Sequence, residues 1–214
     1  MAVAAWFADL LKQELQGRVD LSDSQIAQLH EHYELLQRWN QKINLTSIPS
    51  GPEAVIRHYC ESLFFAANLP VTEQARIADL GSGAGFPGVP MAILRPEWAT
   101  ALIESHQRKA VFLREATRGL GNVVVLANRA EDVGIGFDWL VSRAVDPKDV
   151  LRNTPRLAPH IGLMLGEDDW ESLKSNQAIA WGEPIRLPWG DRRLCVFGVS
   201  RDVPRSTVPR ETSL

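Results

Sequence analysis

The residues with the clearest chemical purpose are the glycines of Asp79-Leu80-Gly81-Ser82-Gly83-Ala84-Gly85-Phe86-Pro87-Gly88. Glycine is needed where backbone turns through positive φ, or where a ligand approaches closer than a Cβ permits. An apolar strand over 77–80 runs into these glycines, and Pro87 is well placed in the first turn of a helix that follows. In a doubly wound sheet such a turn lies at the carboxyl edge, where ligands bind. Gly83, Gly85 and Gly88 satisfy G-x-G-x-x-G, a dinucleotide signature that is weak alone. A site of this kind also calls for an acid at the end of the second strand, to accept hydrogen bonds from ribose hydroxyls. Glu104 fills that place, closing Ala101-Leu102-Ile103-Glu104. The expected ligand is a nucleoside-containing cofactor laid on bare peptide at Gly81, Gly83 and Gly85, its sugar on Glu104.

The elements that position this loop follow from periodicity. Six short apolar runs stand at 77–80, 100–104, 123–127, 139–142, 161–165 and 194–199. Between the first five lie helical stretches at 88–94, 106–120 and 147–157, with a weaker one at 131–134. This alternation predicts a mostly parallel twisted sheet with helices on both faces. Before residue 75 the texture is helical. Ser22 and Gln25 form a capping-box pattern, and Ile26, Leu29, Tyr33 and Leu36 make one apolar stripe, so a helix is expected to about residue 41. Shorter helices are expected over 6–15, stopped at Gly17, and over 52–68. The expected organisation is a small helical cap over 1–75, a ligand-binding domain over 76–200 and a flexible tail over 201–214.

With 214 residues, 45% hydrophobic, the composition is that of a globular protein. A net charge of −3 argues against holding nucleic acid by bulk electrostatics. Yet between Arg108 and Arg156 nine basic residues stand against six acidic ones, so positive charge is gathered in the middle of the chain. Cys60 and Cys195 make no disulfide framework, which suits a reducing cytoplasm. Asp9 and Lys12 interrupt the opening apolar stretch, so neither a secretion signal nor a membrane span is expected. His30 and His32 point to different faces of their helix and no Cys/His cluster has zinc spacing, so no metal is expected.

Asp79 opens the longer pattern D-x-G-x-G-x-G, which resembles S-adenosylmethionine (SAM) methyltransferases. The stretch from Asp79 to Pro90 is joined by Asn40-Gln41-Lys42-Ile43-Asn44-Leu45-Thr46, Arg57-His58, Arg129-Ala130-Glu131 and Ser142-Arg143-Ala144. Over about residues 20–165 this set resembles the bacterial 16S ribosomal RNA methyltransferase G family, also called GidB. The resemblance implies a Rossmann-like SAM-dependent methyltransferase fold. It also implies SAM as cofactor and, as substrate, N(7) of guanine 527 (rRNA numbering) in 16S rRNA of the small subunit or its precursor. Apart from the resemblance, a monomer is expected. The resemblance implies cofactor contacts at Gly81 and Phe86, with Asp79, Gly83, Gly85 and Glu104 in the same pocket. Ala130 and Glu131 would hold the adenine end, and Arg143 would lie near the methionine moiety or the target base. Arg129, Arg57, His58 and Asn44 fall on the substrate side, Arg129 facing RNA phosphate.

Two positions depart from the family pattern. Glu61 stands where His-x-x-Asp-Ser has its Asp, and Leu165 where a Lys is usual; Arg152 or Arg156 is the expected source of that missing charge. Guanine N(7) carries a lone pair and no proton, so no general base is required and none is singled out. Trp39, Phe86 and Trp139 are candidates to stack on a presented base. A small-molecule methyltransferase, a nucleoside-sensing module and a nicotinamide-dependent dehydrogenase remain the alternative readings of the same loop.

Overall fold

A computed structural model describes residues 3–48, 50–71, 73–134, 136–190 and 192–202. The apolar runs become strands β1 (Arg76–Leu80), β2 (Ala99–Ile103), β3 (Val123–Leu126), β4 (Trp139–Arg143) and β5 (His160–Gly166), all parallel to one another. Between them run α5 (Gly88–Leu94), α6 (Gln107–Ala116) and α7 (Pro147–Leu157). Side chains alternate across a strand, and each face of the sheet is buried. Ile77 and Val141 pack toward Phe65 and Met91 on one side, whereas Ala78, Leu80 and Leu140 pack toward Val150 and Leu157 of α7 on the other. The expected Rossmann-like, mostly parallel sheet is present.

Three elements escaped the sequence reading. Helix α8 (Glu167–Leu173) buries only Leu173, and β6 (Ile179–Trp181) and β7 (Ile185–Arg186) are too short to show an alternation. Both strands pair antiparallel with β8 (Arg193–Ser200), which itself runs antiparallel along β5. The sheet order is β3-β2-β1-β4-β5-β8-β6, with β7 also on β8. Helix α6 ends before the expected residue 120, where the Thr117 hydroxyl donates back to the Leu113 carbonyl.

At the amino end lie α1 (Ala5–Leu15), α2 (Asp23–Asn40) and a continuous rod made of α3 (Pro52–Ala54), a π-helical turn (Val55–Cys60) and α4 (Glu61–Asn68). The Ser22–Gln25 capping box forms as expected. These helices share one apolar core with α5 and α6: Phe7, Leu11, Tyr33 and Tyr59 meet Phe86, Val89 and Phe112. Of the expected tail, residues 203–214 lie outside the described residues. No helix among the described residues is long and apolar enough to cross a membrane.

Candidate active site

Strand order reverses between β1 and β4, which opens a crevice outside their carboxyl ends. The register sets the exits level, with Leu80 beside Ile103 of β2 and Ser142 of β4. Gly81, Gly83 and Gly85 leave β1 with φ of 71°, 57° and 91°, conformations that side chains resist. Their reasons differ. A Cβ on Gly81 would stand 2.5 Å from the Val145 side chain, and one on Gly85 2.7 Å from Val89. A Cβ on Gly83 would meet no side chain, its nearest neighbour being the Gly81 carbonyl at 3.7 Å, so the space before Gly83 is open. The Gly83 amide donates to the Glu104 carboxylate at 2.9 Å, and the second carboxylate oxygen accepts from the His106 amide at 2.8 Å. Asp79 is wholly buried and faces inward, where its carboxylate accepts from the Gly88 amide at 3.0 Å and anchors the start of α5. Burial pushes its carboxyl up to about 7. Phe86, expected to turn into the pocket, stacks on His58 (4.6 Å, 13°) and meets His32 and Tyr59 edge-on.

The amino-terminal helices brace this loop. His32 bridges the Tyr59 hydroxyl (2.8 Å) and the Ala84 carbonyl (3.1 Å), and burial lowers its pKa to about 4. It is therefore a neutral strut under the glycine turn. Asn40 accepts from the amides of Leu45 and Thr46 and donates to the Thr46 carbonyl, closing the 41–46 turn. Thr46 Oγ1 then lies 2.9 Å from His58 Nε2. Burial first, then Arg143, lowers His58 to about 3, so this imidazole is neutral too. The sequence does not mark His32 or Thr46 as a support, because nothing in local spacing links them to Tyr59, Ala84 or His58.

Beside the loop lies a second constellation. Glu61, at the start of α4, has no exposed surface. Around it converge Arg193 Nη2 at 2.9 Å, Arg143 Nη2 at 3.2 Å and Arg57 Nε at 3.7 Å. Arg143 also donates to the Arg57 carbonyl at 2.6 Å. The π-helical turn carries Arg57 and His58, and such turns widen a helix and cluster at functional sites. Burial raises the Glu61 carboxyl although the guanidiniums oppose it, and burial lowers Arg143 to about 10. Neither charge is fully compensated for its lost water.

Residues 25–166, about two thirds of the chain, match the family model described as "rRNA small subunit methyltransferase G". The chain belongs to this family. The protein named "Ribosomal RNA small subunit methyltransferase G" of Lactococcus lactis subsp. cremoris is 35% identical over 209 residues, 87% of this chain and 88% of its own length. The protein of the same name in Alkaliphilus oremlandii is 38% identical over 152 residues, 67% of this chain. The match spans 64% of that relative's length. Among solved structures, a predicted O-methyltransferase from Agrobacterium tumefaciens aligns with TM-score 0.56 at 17% identity, over 66% of this chain and 81% of its own. Aeropyrum pernix fibrillarin, solved with natively bound S-adenosyl-L-methionine, aligns with TM-score 0.54 at 16% identity, over 68% and 76%. Identities this low speak for the fold alone.

Other members of the methyltransferase G pattern are more dispersed. Arg129, exposed, caps the 3-10 turn Ala130–Asp132, in which Ala130 is half-buried and Glu131 exposed. The Glu104 amide donates to the Leu126 carbonyl at 3.0 Å, so β2 and β3 deliver Glu104 and this turn to the same edge. Asn44 is exposed at the tip of the turn that Asn40 closes. Neither arginine expected to stand in for the family's lysine, whose place Leu165 takes, does so. Arg152 pairs with Asp149 on the surface, and Arg156 holds the carbonyls of Ala130 and Val133. Among the cations at that strand end is Arg193, which lies opposite Gly166 across the β5–β8 ladder. Trp139 begins β4 and stacks on His160 (4.9 Å, 20°) at the opposite edge of the sheet, beside a cavity of about 680 Å³. It is out of reach of a base at the carboxyl edge. Trp39 donates to Glu115 at 3.2 Å and packs on Phe112. Among the described residues no His, Cys, Asp and Glu side chains cluster as metal ligands would.

Proposed function

We propose that this chain transfers a methyl group from SAM to N(7) of a guanine in 16S rRNA, guanine 527 being the expected position. The observation that carries the reading is the open glycine turn tied to Glu104 at the β1–β4 switch, in a chain of the rRNA small subunit methyltransferase G family. The residues present fit a nucleoside. Each Glu104 oxygen holds one amide and keeps a further lone pair for a ribose hydroxyl. The turn at Ala130 and Glu131 leaves the sheet beside it, where an adenine would lie. Asp79 and Phe86 serve by holding the loop from behind.

When bound, SAM supplies an electrophilic methyl on its sulfonium. The chain's own task is then alignment, which supplies on the order of 7–11 kcal/mol of the barrier in well-oriented reactions. No base is needed at N(7), and the constellation offers none. His58 is neutral but its Nε2 is occupied by Thr46, and Glu61 is enclosed by arginines. Arg129, Arg57, His58 and Asn44 are assigned to the RNA side. The substrate is read as the small subunit or its precursor, and the enzyme as a cytoplasmic monomer.

The test is incubation with labelled SAM and, separately, 30S particles, naked 16S rRNA and a metabolite extract, followed by mapping of methylated guanines. Label at N(7) of one 16S guanine is expected. Label confined to metabolites overturns the rRNA assignment, and binding of SAM without any transfer favours a sensing module. Binding of NAD in place of SAM ends the methyltransferase reading.

A further inference from the structure

The glycine turn and Glu104 account for a cofactor, but not for the charge held around Glu61. Three guanidiniums face one carboxylate, and among the described residues no other carboxylate pairs with any of the three. His58 and the Cys195 thiol beside them are neutral, since burial carries them to about 3 and about 12. Two positive charges are left over in a protein of net charge −3. Their side chains are 33% (Arg57), 10% (Arg143) and 18% (Arg193) exposed, so solvent reaches the cluster without flooding it. Arg57 Nε has no hydrogen-bond partner. A partly dry, preformed excess of guanidinium donors is a seat for an oxyanion, because planar N–H forks match its oxygens.

Position decides which oxyanion. Glu104 follows β2, on one side of β1, whereas Arg143 ends β4 and Arg193 begins β8, on the other. Strands lie about 4.8 Å apart, which sets the Arg193 backbone roughly 14 Å from that of β1. A nucleoside whose sugar sits on Glu104 spans β2 and β1, so the cluster lies beyond its far end, where the methyl acceptor must enter. We propose that Arg57, Arg143 and Arg193, gathered by Glu61, seat a backbone phosphate of the RNA substrate. Arg193 lies outside the family-matched residues 25–166. The inference rests on the RNA reading above, and its test is separable from it.

The test uses fluorescence anisotropy of a 16S rRNA fragment with the full chain, Arg193→Gln and Arg193→Lys, over a salt series, and calorimetry of the same proteins with SAM. Expected for Arg193→Gln is an about tenfold weaker RNA affinity at low salt and a salt slope shallower by about one charge. Arg193→Lys should recover most of the affinity, and SAM affinity should stay within about twofold in both. Loss of SAM binding with unchanged RNA binding would reassign the cluster to the cofactor's carboxylate. Equal RNA affinity in all three proteins, with unchanged melting temperatures, would overturn the phosphate seat. Failure of the labelled-SAM experiment with an intact Arg193 effect removes the proposed reaction and leaves the seat standing.

Discussion

The two halves of the crevice are built by opposite means. On the β1–β2 side, backbone amides and one carboxylate do the binding, and glycine supplies shape by leaving atoms out. On the β4–β8 side, long charged side chains converge from three separate elements on a carboxylate that has no contact with water. The first is cheap to hold, because its polar groups are satisfied within ten residues or by one neighbouring strand. The second is costly, since desolvated like charges sit together and, among the described residues, Glu61 is the one carboxylate paired with them. A site made of peptide tolerates surface change, while a site made of buried charge depends on every member.

The largest effect should therefore come from Glu61→Gln. It leaves three guanidiniums facing each other without a counter-charge, and removing one partner of a buried ion pair costs about 3–5 kcal/mol. Chemical denaturation should show a stability loss of that order, together with tighter rather than weaker binding of an RNA fragment at low salt. A loss below about 1 kcal/mol would mean that the two halves are held alike.

Next are the glycines. Gly83→Val fills the open space before the turn, so SAM binding by calorimetry should be abolished while stability falls only by about 1–2 kcal/mol for the left-handed backbone. Gly81→Ala carries the same strain and adds a collision with Val145, so it should cost about 1–3 kcal/mol more than Gly83→Ala. Equal costs for the two alanines would show that Val145 moves aside freely.

This contrast also explains what could be read in advance. The glycine half is contiguous: strand, turn and helix lie within residues 76–94, and Glu104 is one strand away, so spacing alone exposes it. The parallel strands were legible for a related reason, since burial on both faces makes them near-continuous apolar runs. The charged half joins residues 57, 61, 143 and 193, and its last member arrives on an antiparallel strand that no local pattern connects to α4. His32 was hidden likewise, because a histidine on an apolar stripe looks the same whether it fills a core or props a loop. Phe86 is ambiguous in the other direction: its place in the motif suggests a ligand, while its ring also packs in the aromatic cluster of the amino-terminal helices.

A smaller effect concerns acid. His32 has a folded pKa near 4, below the ordinary 6.5, so the stability it contributes is present above about pH 6.5 and lost as pH falls through 4. His58 behaves likewise, through about 3. Asp79 acts in reverse: its folded pKa near 7 exceeds the ordinary 3.8, so its contribution is present below 3.8 and lost as pH rises through 7. Between pH 7 and 4.5 the two tendencies oppose, two histidines against one carboxyl, so Asp79 offsets only part of the loss and the melting temperature of the unaltered protein should fall modestly. Asp79→Asn removes only the glycine-side group, so its melting temperature should fall more steeply over the same interval. Parallel curves for both proteins would mean that Asp79 is ionised in the fold.

The smallest effect tests whether the peptide-built half also meets RNA. Arg129 is exposed, and its carbonyl, not its guanidinium, is what bonds the following turn, so its side chain contributes a screened surface charge rather than a seat. Arg129→Glu should weaken binding of a 16S rRNA fragment about fivefold at 50 mM salt and about twofold at 200 mM, with SAM affinity unchanged. Arg193→Gln, acting from a partly desolvated cluster, should keep more of its effect over the same salt range, because buried charges are screened less. If Arg129→Glu proves salt-independent and lowers SAM affinity instead, Arg129 belongs with Ala130 and Glu131 at the cofactor, and all RNA contact shifts to the arginine side of the crevice.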